Sequence, residues 1–202
     1  MSTNAGRRFP VETLTRNEVG ALLASIRGAG VLAVRNRALV AVLAGSGLRV
    51  SEALSLRPSD VRSDGALLVR HGKNDRSRIA HLAPDARPLL AAWLDRRSAL
   101  GLNGRQPIFC SVSAGSAGAP MATSYVRRLL PKLGRRAGID KRVHAHGLRH
   151  THATDLVERR ASLREVQAQL GHQSIATTDN YIARIAPRER LSRMDALYEV
   201  ES

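Results

Sequence analysis

Apolar positions along this chain recur mainly at helical spacing, interrupted once by two short runs that read as strands. Thr15 and Glu18 form a capping-box pair, which predicts a helix from residue 16 to about 27, ended by Gly28 and Gly30. Residues 31–45 are so uniformly apolar that their helix should be buried all round. Gly47 supplies a turn, and Val50, Ala53, Leu54 and Leu56 then give a short helix a buried stripe, closed by Pro58. Residues 66–70 and 78–82 read as two antiparallel strands with Asn74-Asp75 at the turn. Pro84 opens a helix to about residue 100, with Leu89, Leu90, Trp93 and Leu94 facing inward. Residues 101–118 read as loop, with Ile108-Phe109 as a buried plug. Further helices are expected at 124–137, kinked by Pro131, at 146–158, at 163–170 and at 174–185. A last helix begins at Pro187 with Leu191, Met194, Leu197 and Tyr198 along one side. The fold class is α+β: mainly helical, with a small antiparallel sheet. Residues 1–12 read as a basic tail, 13–186 as one domain, and 187–202 as a terminal helix that packs on its own domain or on a neighbouring subunit.

Charge narrows the picture. Among 202 residues, 43% are apolar, enough for a real core, yet the formal net charge is +15 and the pI about 11.5. Such an excess points to a polyanionic partner, and nucleic acid is the first candidate. The bland reading is solvation charge alone. Arginine dominates the cations, and its planar fork suits phosphate. Aromatics are only 3%, too few for a single-strand stacking platform. Cys110 is the single cysteine, so neither an intrachain disulfide nor a cysteine metal cluster can form. No apolar run approaches the ~20 residues of a membrane span, and the N-terminus lacks the apolar core of a secretory signal. The expected location is the cytoplasm.

Candidate chemistry concentrates between Val143 and Tyr181. His146 and Arg149 are three apart and share a helix face, where imidazole beside guanidinium suits a phosphate oxyanion. His172 and Tyr181, nine apart, would diverge on one straight helix. They can converge only through a break, for which Gly171 offers a left-handed cap and Ser174 an N-cap. Earlier in the chain, Arg49 and Glu52 are also three apart. They make either a surface ion pair of a few tenths of a kcal/mol or part of the same site. Arg127, Arg128, Lys132, Arg135 and Arg136 form a basic helix face, with DNA-backbone contact favoured over simple solvation. Arg76 and Arg78, beside the hairpin turn, are also candidates for DNA contact. His144, His146, His150 and His152 tempt a metal reading, but Arg149 among them repels a cation and no acidic base accompanies them. No metal is expected; His150 is read as packed behind Arg149.

The runs HGLRHTHAT and LGHQSIATTDNY resemble the second signature box of the tyrosine recombinases, the phage integrase family, and GLRVSEALSL at 47–56 resembles the first. The resemblance spans about residues 13–196. It implies a site of Arg49, Lys73, His146, Arg149, His172 and Tyr181, supported by Glu52. Tyr181 would attack a DNA phosphorus, keeping the bond energy in a covalent 3′-phosphotyrosyl link. Arg49 and Arg149 would clamp the non-bridging oxygens. Lys73 would protonate the departing 5′ oxygen, His146 would assist at the tyrosine side, and His172 would donate to a phosphate oxygen. Glu52 would orient Arg49 or His146. The partner implied is double-stranded DNA, with four protomers on two sites and neither cofactor nor small-molecule substrate.

Two departures stand out. The family's Gly-Lys-Gly hairpin is Gly72-Lys73-Asn74 here, a turn asparagine can still make. The first box also begins within about fifty residues of Met1, so the family's N-terminal clamp domain is expected to be missing. Two other functions remain open: supercoil relaxation of the type IB topoisomerase kind, and a DNA-binding regulator that does not cut.

Overall fold

The computed structural model describes residues 12–70 and 77–171. Its elements are α1 (Arg16–Ala24), α2 (Val31–Ser46), α3 (Val50–Ser55), β1 (Ala66–Val69), β2 (Arg78–His81), α4 (Arg87–Ala99), α5 (Thr123–Arg136), α6 (Ala145–Glu158) and α7 (Leu163–Leu170). Single 3₁₀ turns at Pro58–Asp60 and Pro84–Ala86 precede β1 and α4. The result is the expected α+β domain, helical with one two-stranded antiparallel sheet.

Helix α2 is the hub. From Ala38 to Leu43 every residue is at most 2% exposed, as its lack of a polar stripe demands. Helices α1, α3, α4 and α6 pack around it. Ile108 and Phe109 plug the core: Ile108 donates its N–H to the Leu56 carbonyl, and Trp93 Nε1 donates to the Ile108 carbonyl at 2.9 Å.

Local signals account for most element ends. At α1, Glu18 N–H donates to Thr15 Oγ1 and Thr15 N–H to the Glu18 carboxylate, the reciprocal pair its sequence predicts. The helix stops at Ala24, three residues earlier than expected, where Ser25 Oγ donates back to the Leu22 carbonyl. The region read as a single helix from Pro84 divides into a tighter 3₁₀ turn and α4. Helix α5 runs on through Pro131, with Val126, Leu130 and Leu133 buried. Its five cations, Arg127, Arg128, Lys132, Arg135 and Arg136, are all exposed. The strands pair from Ala66↔His81 to Val69↔Arg78, each one residue shorter than expected. Helix α7 then lies against β2 and α6.

No helix among the described residues is long and apolar enough to cross a membrane. The expectations for the tail, for Lys73 and Arg76 at the hairpin turn, for His172 and Tyr181, and for the terminal helix concern residues outside the described ones.

Candidate active site

Gly47 caps α2 in a left-handed conformation, with φ at 63°. Only glycine fits: a Cβ there would lie 2.7 Å from His152 Cδ2 and 2.9 Å from Leu170 Cδ2. That turn sends the chain at once into Arg49 and α3, and it also presents the Gly47 carbonyl to α6. Arg149 takes that carbonyl through Nη1 at 2.7 Å and the Leu170 carbonyl through Nη2 at 2.7 Å. One guanidinium, 3% exposed, thus ties the first box to the end of α7. Helix α7 itself ends at Gly171 in the same left-handed form, φ 66°. The residue that follows, His172, lies outside the described ones.

Glu52 organises the opposite wall. Its carboxylate, 3% exposed, accepts from Arg49 N–H and Arg49 Nη1, both at 2.8 Å. It also accepts a bidentate pair from Arg78 Nη1 and Nη2, both at 2.9 Å. Each oxygen therefore receives two donors, which is what a buried carboxylate needs. Burial pushes this carboxyl up, but the hydrogen bonds and charges of Arg78 and Arg49 outweigh it and leave it below the ordinary glutamate value. Of the two orientations the sequence allowed, Glu52 holds Arg49.

Arg78 departs from expectation. Read from sequence as a DNA contact beside the hairpin turn, it points inward, with its side chain 14% exposed and committed to Glu52. Its Nε also faces the Gln169 carbonyl at 3.5 Å. The cause lies in the strand's alternation: Arg78 shares the inner face with buried Ala80, while Ile79 faces out at 55% exposure.

His146 sits exposed on α6 near the two guanidiniums. Desolvation first, then the charges of Arg149, His144 and Arg49, hold its imidazole below the ordinary histidine value. His150, expected behind Arg149, meets the His146 ring edge to face at 4.2 Å. His152 is buried against α2, and burial lowers it to about 4. Among the described residues no group of three or more His, Cys, Asp or Glu is arranged to hold a metal. Two guanidiniums around a neutral imidazole make a seat for an oxyanion, and the neutral ring can still exchange a proton.

The sequence reading missed four contacts: the two carbonyls under Arg149, the Arg78–Glu52 fork, and the side chain of Gln169. Only the fork had a signal, in the period of β2.

An α+β helical domain with a basic oxyanion seat built from two distant sequence boxes defines the class. The chain belongs to the phage integrase family, whose model matches residues 12–186. Among curated relatives, the tyrosine recombinase XerD of Corynebacterium glutamicum is 36% identical over 180 residues, covering 87% of this chain and 58% of the relative. XerD of Mycobacterium leprae is 36% identical over 182 residues, covering 87% and 57%. The chain thus spans less than two thirds of the length of these relatives. Among solved structures, XerA recombinase superposes with a TM-score of 0.78 at 31% identity, over 95% of this chain and 66% of that one. XerH site-specific recombinase, bound to its palindromic difH substrate in a post-cleavage complex, gives 0.75 at 28% identity, over 98% and 56%.

Proposed function

We propose that this domain is the catalytic part of a tyrosine site-specific recombinase, which cuts and rejoins strands of double-stranded DNA through a 3′-phosphotyrosyl intermediate. The observation that carries this reading is the Arg149 seat, where the guanidinium bridges Gly47 and Leu170 beside Arg49 and Glu52. In this reading Arg49 and Arg149 hold the two non-bridging oxygens of the scissile phosphate. Neutral His146 assists proton transfer at the attacking hydroxyl. Tyr181 Oη attacks phosphorus, and the 5′ oxygen leaves with a proton from Lys73. His172 donates to a phosphate oxygen. The phosphotyrosyl link keeps the energy of the phosphodiester bond it replaces, so neither ATP nor a hydrolytic water enters the step. Arg127, Arg128, Lys132, Arg135 and Arg136 track the DNA backbone. Four protomers on two sites would carry a full exchange.

The test is a nicked duplex in which cleavage releases a short 5′-hydroxyl strand, trapping the protein on DNA. The duplex carries a site recovered from cellular DNA fragments found linked to the protein. The wild-type chain is expected to form a denaturation-resistant adduct, and Tyr181→Phe to bind with equal affinity and form none. An adduct that persists in Tyr181→Phe overturns the nucleophile assignment; a wild-type chain that never forms one overturns the reading.

A further inference from the structure

Gln169 makes more side-chain hydrogen bonds than its place near the end of a short helix requires. Its Nε2 donates to the Ser46 carbonyl at 2.9 Å and to the His81 carbonyl at 2.7 Å. Its Oε1 accepts from the His81 N–H at 2.8 Å. The amide therefore pairs with both main-chain groups of one residue on β2, as a neighbouring strand would. A fourth contact places Nε2 3.3 Å from His152 Nε2. Both amide hydrogens are already donated to the two carbonyls, so the His152 ring is packed beside the amide rather than bound by it.

The position of these bonds gives them meaning. Arg149 is held between the carbonyls of Gly47 and Leu170. Ser46 precedes Gly47, and Gln169 precedes Leu170. The Gln169 side chain therefore sets the distance between the two backbone segments that grip the guanidinium. Its second anchor, His81, is the last residue of the strand that begins at Arg78, the partner of Glu52. One amide joins the wall that holds Arg149 to the wall that holds Arg49.

We propose that Gln169 is a positioning residue for the strand-transfer step, acting as a staple that fixes the spacing of the Arg149 seat. It does not touch the DNA; it acts through Arg149. The kinetic part of this inference rests on the function proposed above, and the structural part rests on geometry alone. The effect expected is that of a weakened oxyanion donor, about 10–100-fold in the chemical step, below the 10²–10³ lost when a donor is removed outright.

The experiment compares Gln169→Met, which keeps the length without the polar atoms, with Gln169→Glu, which turns a carboxylate toward the Ser46 and His81 carbonyls. On the nicked duplex, Gln169→Met is expected to slow adduct formation about 10–100-fold at unchanged DNA affinity, and Gln169→Glu to slow it further. In an Arg149→Lys background, Gln169→Met should cost nothing more. Leu130→Ala, a core truncation in α5, which carries none of these bonds, serves as the stability control. Nitrogen-15 spectra of the arginine side chains read the seat without any reaction: hindered rotation of the Arg149 guanidinium should be lost in Gln169→Met. Adduct formation at the wild-type rate in Gln169→Met, a full additional loss in the Arg149→Lys background, or an equal slowing by Leu130→Ala at matched melting temperature would each overturn the proposal. If the wild-type chain forms no adduct at all, the proposed function fails, while the spectra still decide whether Gln169 holds Arg149.

Discussion

Arg49 and Arg149 reach the same site from elements 100 residues apart in sequence, and different chemistry holds each of them. Arg49, with its side chain 33% exposed, is fixed by a carboxylate that a second arginine shares. Arg149, 3% exposed, is fixed by two main-chain carbonyls. A carboxylate neutralises charge, and removing it leaves like charges face to face. Carbonyls hold a guanidinium through their dipoles and depend on the geometry of the chain that carries them. One wall is therefore vulnerable through charge and the other through backbone shape.

The largest effect should come from Glu52→Ala, which leaves Arg49 and Arg78 beside each other without their shared partner. The expected loss is about 3–5 kcal/mol of stability, read by urea denaturation. A loss under 1 kcal/mol would mean that the fork behaves like an ordinary surface pair. Acid should sharpen the contrast next, because His152 stands beside the carbonyl-built wall. Its value of about 4 lies below the ordinary 6.5, so an unfolded chain binds the proton first. The stability contributed is complete above pH 6.5 and is lost as pH falls toward 4, on the order of 3 kcal/mol in all. Melting temperatures across that window should fall in the wild-type chain and flatten in His152→Gln. Glu52, lowered by its arginines, adds its own loss only at lower pH.

Gly47→Ala breaks the second wall through shape, at about 1–3 kcal/mol for the left-handed backbone before any clash with His152. It should also weaken the hold on Arg149, visible in the same nitrogen-15 spectra. The smallest effect separates the inward arginine from the outward ones. In DNA binding titrated with salt, Arg127→Ala should reduce the slope of log affinity by about 0.9, whereas Arg78→Ala should leave the slope unchanged and slow adduct formation instead. Equal slopes for the two variants would return Arg78 to the DNA surface.

Much of this arrangement was legible from local rules. The Thr15–Glu18 box, the buried α2, the Ile108-Phe109 plug and the bounds of α7 each follow from spacing within a few residues. The Arg49–Glu52 contact followed as well, because three residues on a helix fix a neighbour. Arg78 was misread for an equally physical reason. The alternation of β2 puts it on the face of buried Ala80, and only the tertiary fold brings the carboxylate of α3 to that face. The carbonyls under Arg149 have no signature, since every residue carries one, and their convergence exists only in the tertiary fold. Gln169 was silent likewise: an amide in a helix says nothing about which strand it will meet.

The double attachment of Arg149 bears on the making of inactive but intact versions of this protein. A guanidinium that plugs an interior gap between two chain segments cannot be deleted as if it were only a tool, because its absence leaves solvent-starved carbonyls behind. Disabling the candidate site without loosening the fold calls for a change at its outer edge, where Arg49 still reaches water.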